Sequence, residues 1–255
     1  MRADRFSPLD PERAAYLLNW VQQFEPDWVL VLPYVPNDKR AGWLALLAFA
    51  AEVIGAPARV SNPSLGAIRL QWWREVLEEV FAGVPRQHPV SEALALTLRQ
   101  QAELRPHLEG MIDGLEPFMV FGDDHDCDAA RHQRRPVYGN LADALGGWAE
   151  SPSGGDGLLL HALARTAPDP KAVPSAEGPE ALAKRFSRAL AANPSLEKEL
   201  AKAITAYRQD QSGKLPLPAL PLRLITAGQE GSLHHISMPL RQRTALFFGV
   251  LRGRV

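Results

Sequence analysis

The densest group of potentially reactive side chains lies at residues 123–128, which read Asp-Asp-His-Asp-Cys-Asp. Carboxylates, an imidazole and a thiol so close together are side chains that bind divalent metals. On a helix, Asp124 and Asp128 would share a face and bridge magnesium to a phosphate. The group precedes a helix predicted to begin at residue 129. Carboxylates at this position are favoured, because they can cap the helix and lie at the positive end of its dipole. We therefore predict a solvated capping loop, with Asp124 and Asp128 as weak candidates for metal ligands.

Other familiar catalytic signatures are missing from the sequence. It has no P-loop, no GxSxG nucleophile elbow and no HExxH motif. The single cysteine excludes a disulfide framework and a cysteine-based zinc cluster. A net charge of −1 argues against bulk binding to nucleic acid. We interpret the pair His234-His235 as part of a surface loop.

The most informative segment is Leu65–Phe81, LGAIRLQWWREVLEEVF. Helical spacing places Leu65, Ile68, Trp72, Val76 and Val80 on one apolar line, with acidic residues on the opposite side. Arg69 lies three and four residues before Trp72 and Trp73, so the three are neighbours on a helix. A guanidinium beside large aromatic rings can hold a phosphate or cap an apolar cavity.

Helical periodicity recurs along the chain and positions this segment. Asp10 and Pro11 are typical of a helix start, and Asn37-Asp38 and Asn62-Pro63 predict two more. Further helices are predicted at about 89–105, 106–120, 129–149, 156–166, 178–192, 194–210 and 239–252. The best strand candidates, 29–31 and 215–217, are interrupted by prolines. We predict an all-α protein.

Several blocks resemble the squalene/phytoene synthase superfamily, the trans-isoprenyl diphosphate synthase-like proteins. The most specific is Arg69–Glu75, RLQWWRE, and the order and spacing of the others agree with it. The other blocks are Pro26-Asp27-Trp28, Leu32-Pro33-Tyr34, Arg40, Trp43–Leu46 and Ala48–Glu52. The resemblance implies one helical domain over residues 1–255, a bundle around a central apolar cavity. Residues 150–179 are an eroded, loop-rich part of that domain.

The resemblance also implies chemistry from which this chain departs. Enzymes of the family join two prenyl diphosphates, using two Asp-rich helical motifs that hold magnesium. At the first motif the chain reads AFAAEVI, with Glu52 as its sole acidic residue, and the second motif is not found. The same loss at the first motif marks the branch that contains the mitochondrial complex I assembly factor and its bacterial relatives. The chain is most similar to that branch.

Three functions follow from this resemblance and stay open at this point. The favoured one is a non-catalytic pseudoenzyme that acts as a binding or assembly factor with a protein partner, such as complex I subunits. The alternatives are a magnesium-dependent prenyl transferase and a non-catalytic isoprenoid- or lipid-binding protein. The favoured function needs no cofactor and suits a cytoplasmic protein in peripheral contact with the inner membrane. The residues expected to line a residual pocket or partner surface are Arg40, Glu52, Arg69, Gln71, Trp72, Trp73 and Arg74.

Overall fold

The computed structural model describes residues 6–56, 63–116, 127–146, 158, 160–161, 194–210, 225–227 and 233–235. Its longer helices, numbered in chain order, are α1 (Pro11–Phe24), α2 (Pro26–Val31), α3 (Arg40–Ile54), α4 (Pro63–Ala82), α5 (Pro89–Leu98), α6 (Arg105–Asp113), α7 (Cys127–Gly146) and α8 (Pro194–Asp210). Two 3-10 turns, Leu32–Tyr34 and Ala102–Leu104, connect α2 to α3 and α5 to α6. The predicted all-α class is confirmed.

Helix α1 begins where the sequence predicts. Asp10 has an extended backbone, its carboxylate accepts from the backbone N–H of Arg13, and Pro11 occupies the first turn. The hydrogen bond from the Arg13 backbone lowers the pKa of the Asp10 carboxyl. Leu17 and Val21 then point into the core from successive turns.

Helix α3 lies at the centre of the described fold. Of its 15 residues, 13 are buried, because α1, α5, α6 and α7 all pack against it. A helix that is apolar on every side is stable only when surrounded in this way. Glu52 and Arg40 are the charged residues in its sequence, and both are buried, so each needs polar partners inside the fold.

Helix α4 faces the core differently from the predicted apolar line. Val76 and Val80 are fully buried, but Leu65 is 51% and Ile68 64% exposed. The line is therefore wrong in its first two turns, because those turns lack neighbours on that side among the described residues. The buried face of α4 is formed by Leu70, Trp73, Val76, Leu77 and Val80.

Helices α6 and α7 approach each other closely at two glycines. A Cβ added to Gly114 would lie 2.8 Å from a methyl carbon of Val137, and one added to Gly110 would lie 2.6 Å from the Asn140 amide. Both distances are shorter than side-chain atoms tolerate, so the absence of a side chain permits this packing. Helix α7 begins at Cys127 rather than at residue 129.

A short antiparallel hairpin was not predicted. Strand β1 (Ile225–Ala227) pairs with β2 (Leu233–His235), with Thr226 opposite His234. The interpretation of His234-His235 as a loop is thus wrong, and so is the strand candidate at 29–31, which belongs to α2. Three-residue strands are too short for a period-two signal. The other candidate, 215–217, lies outside the described residues.

The extent of the domain stays a prediction. Most of the 150–179 segment, and the helices predicted at 178–192 and 239–252, lie outside the described residues. The central cavity implied by the resemblance is likewise an expectation. Among the described helices, none is both long and apolar enough to cross a membrane.

Candidate functional site around the tryptophan pair

The site begins with a buried carboxylate at the end of α3. Glu52 is 3% exposed, and Arg69 on α4 donates from Nη2 to its Oε2 at 3.2 Å. Arg69 is more open, with 39% of its side chain exposed, so the pair spans the boundary between the core and water. A buried carboxylate stays charged only with such partners.

The two adjacent tryptophans of α4 have different surroundings. Trp73 is 1% exposed, whereas Trp72 is half-buried, because consecutive residues point about 100° apart around a helix. Their ring centroids are 4.9 Å apart at 80°, and Trp73 also meets Phe49 of α3 edge-on at 5.4 Å. Edge-to-face pairs of this kind contribute about 1 kcal/mol each beyond burial. The Trp73 indole N–H is buried without a hydrogen-bond acceptor among the described residues.

His88 completes the aromatic group and was not predicted. Its ring lies edge-on to both indoles, 5.6 Å from Trp72 and 5.3 Å from Trp73. Its Nδ1 accepts from the backbone N–H of Val90, which caps α5 and leaves the ring proton on Nε2. Burial lowers the His88 pKa, with Glu52 opposing and Arg69 reinforcing the shift. The signal that could have found it is Pro89, since proline at a first helical position marks the preceding residue as the cap.

Arg86 borders the same group on the solvent side. Its guanidinium lies 5.6 Å from the Trp72 ring and donates to Glu79 at 2.7 Å and Glu75 at 2.9 Å. The hydrogen bond from Arg86 lowers the pKa of the Glu75 carboxyl. The exposed edge of Trp72 is therefore covered by a cation that acidic residues hold in position.

Two predicted candidates contact other parts of the fold. Arg40 donates to the backbone carbonyls of Leu32 at 2.8 Å, Pro33 at 3.2 Å and Val35 at 2.7 Å, which ties the connection before α3 to that helix. Arg74 donates to Asp113 at 2.7 Å and Glu116 at 2.6 Å, at the end of α6 and just beyond it.

A third candidate, Gln71, contacts a neighbour on its own helix. Gln71 is exposed on α4, and its hydrogen bond helps to lower the Glu75 pKa. The structure thus brings together Glu52, Arg69, Trp72 and Trp73.

The donor set on α3 does not fit a magnesium–diphosphate clamp. Magnesium held against a diphosphate takes carboxylate oxygens and keeps several waters. Glu52 is the only acidic residue of α3, and its carboxylate is already paired with Arg69.

The structure does not describe the side-chain positions of the two weak candidates for metal ligands. Asp124 lies outside the described residues, and so does the side chain of Asp128. The backbone of Asp128 is in the first turn of α7, so the predicted loop ends two residues early. A carboxylate in a first turn is favoured by the helix dipole, as one before it is.

Comparison with known proteins supports the predicted resemblance. Residues 21–143 match the squalene/phytoene synthase family model. This segment, just under half of the chain, is similar to squalene/phytoene synthases. It extends from the end of α1 almost to the end of α7, so it includes α3, α4 and the tryptophan pair.

Two curated relatives carry the name "NADH dehydrogenase (ubiquinone) complex I, assembly factor 6". The Bos taurus protein is 25% identical over 101 residues, which are 40% of this chain and 30% of the relative. The Homo sapiens protein is 24% identical over the same shares. The match therefore spans less than a third of the relatives' length. No solved structure matches the chain significantly.

Proposed function

We propose that this chain is a non-catalytic synthase-like protein that serves as a binding or assembly factor, with complex I components as its partners. The observation that carries the proposal is the pairing of the buried Glu52 carboxylate with Arg69. It is the one carboxylate on the helix where the resemblance implies an Asp-rich motif, and Arg69 neutralises it. Ionisation of an allylic diphosphate needs strong stabilisation of the departing negative charge.

The aromatic side chains near this pair support a structural role for α3, α4 and α5. Trp73 packs against Phe49, and His88 packs against both indoles while capping α5, so the aromatic side chains fix α3, α4 and α5 together. The names of the two relatives support complex I as the assembly concerned. We place the protein in the cytoplasm, in peripheral contact with the inner membrane.

The non-catalytic part is tested by incubating the purified full chain with farnesyl or geranylgeranyl diphosphate and magnesium. We expect neither product nor magnesium-dependent binding. Product formation that is lost in Glu52→Gln would make the protein a prenyl transferase and overturn the proposal. Extraction and mass spectrometry of co-purified lipid forms a second arm, because a stoichiometric isoprenoid would favour a lipid-binding function.

A further inference from the structure

Three buried polar side chains from distant parts of the chain converge away from the tryptophan pair. Glu25 precedes α2, Asp27 lies in the first turn of that helix, and His161 lies 134 residues further along the chain than Asp27. They are 8%, 1% and 0% exposed, respectively. Leu158 and Leu160, which precede His161 in the chain, are buried as well.

The ligand-type atoms of these residues lie close together. His161 Nε2 and Asp27 Oδ2 are 2.9 Å apart, and one such atom from each of the three residues lies within 4.8 Å of the other two. The Glu25 carboxylate accepts from the backbone N–H of Asp27, which fixes its direction at the start of α2. The cluster is therefore held by backbone as well as by side chains.

The imidazole supplies a second observation. His161 Nδ1 is buried and has no hydrogen-bond partner among the described residues. Among the described residues the ring therefore makes its polar contact through Nε2, the nitrogen that faces Asp27. Capping explains an acidic side chain at the start of α2, but it does not require an imidazole from another part of the chain.

The separation between His161 and Asp27 is close to that of two ligands on one metal ion. Two ligand atoms bound at about 2.1 Å to one ion lie about 3.0 Å apart at a right angle and about 3.4 Å apart at a tetrahedral angle. The separation of 2.9 Å between Nε2 and Oδ2 needs only a small opening. Magnesium and calcium take oxygen ligands, whereas one imidazole with two carboxylates suits a first-row transition metal.

We propose that Glu25, Asp27 and His161 bind one divalent transition-metal ion, with zinc as the test ion. His161 binds as a neutral imidazole, and the ion takes the place of the hydrogen bond between His161 and Asp27. The site joins the start of α2 to the segment around residue 161, so the ion stabilises the fold as a cross-link. This site shares no residue with the Glu52–Arg69 pair, and the proposal does not rest on the proposed function.

The test uses the full chain after treatment with a chelator. Titration with zinc chloride in a calorimeter should give one equivalent bound at a micromolar or tighter dissociation constant, with a rise in the thermal midpoint. His161→Gln and Asp27→Asn should each weaken binding by about 100-fold. The double variant Asp124→Asn/Asp128→Asn is the control, and it should bind as the wild type does.

A second measurement avoids any variant that fails to fold. X-ray absorption at the zinc edge of the wild-type protein should show one imidazole nitrogen and oxygen ligands at about 2.0–2.2 Å. A sulfur ligand would indicate Cys127 instead and would overturn the proposal. So would the absence of zinc binding by the wild type, or binding lost only in the Asp124/Asp128 variant.

Discussion

At the scale of single residues, Glu52 is the acidic residue of the central helix α3. It is almost fully buried, and Arg69 neutralises it from the neighbouring helix. Removing one partner of such a pair leaves a charge in a poorly solvated place, which costs more than the pair itself contributes. Glu52 therefore acts within the fold as a link between α3 and α4.

Replacement of Arg69 tests this link. We expect Arg69→Gln to lower the free energy of unfolding by about 2 kcal/mol, because a charged hydrogen bond to a buried carboxylate is lost. The control is Arg105→Gln, which breaks the 2.6 Å pair with Glu109 on the surface of α6 and should cost less than about 0.5 kcal/mol. Urea denaturation measures both. Equal costs would mean that Glu52 does not depend on Arg69.

His88 should make stability depend on pH. Burial lowers its folded-state pKa below the ordinary 6.5, so the unfolded chain takes up the proton first as the pH falls. The contribution is fully present above pH 6.5 and is lost as the pH falls from there to the lowered pKa.

The variant His88→Asn isolates that contribution, since asparagine also caps helices. It should cost about 1 kcal/mol near neutral pH through lost ring contacts. It should also reduce the fall in unfolding free energy between about pH 7.5 and pH 5.5. An unchanged pH dependence would contradict the assignment of His88 as a half-buried neutral ring.

At the scale of one helix, two leucines of α4 test which face packs against the core. Leu77 is fully buried and Leu65 is 51% exposed. Leu77→Ala should lower the free energy of unfolding by about 2–5 kcal/mol, because it removes core atoms and leaves a cavity. Leu65→Ala should change it by less than about 0.5 kcal/mol. Similar losses at both positions would mean that Leu65 also packs against the core, as the apolar line predicted from the sequence requires.

The contact between α6 and α7 offers a matched pair of glycines. A Cβ at Gly114 would meet Val137, whereas one at Gly139 on α7 would meet nothing within 4 Å. Gly114→Ala should therefore destabilise the protein by about 1–3 kcal/mol through overpacking. Gly139→Ala should stabilise it by about 0.5–1 kcal/mol, because alanine favours helices. Thermal unfolding distinguishes them, and a stabilising Gly114→Ala would disprove the close approach.

For the whole molecule, the sequence was most informative where its signals are local. Asp10-Pro11 and Asn62-Pro63 located two helix starts, and the RLQWWRE block pointed to a family that matches residues 21–143. Caps and apolar periodicity depend on residues within a few positions of each other. Caps and periodicity can therefore be recognised in the sequence without knowledge of the fold.

Polar contacts are harder to predict from the sequence, because they join segments that are distant along the chain. The contact of His88 with the tryptophans needs the path of the chain from α4 to α5, and the contact of Asp27 with His161 crosses 134 positions. The composition of α4 could not show that its first two turns are exposed, since exposure depends on which neighbours pack there. Of the predicted site residues, Arg40 and Arg74 make their hydrogen bonds in other parts of the fold.

At the scale of the whole molecule, we propose that the helical scaffold, with its α3 carboxylate paired to Arg69, serves in the assembly of complex I. The most direct test is deletion of the gene in the source organism, with measurement of assembled complex I on native gels and of membrane NADH oxidation. We predict that both fall in the deletion strain and that the wild-type gene on a plasmid restores them. Wild-type levels of both in the deletion strain would contradict the account.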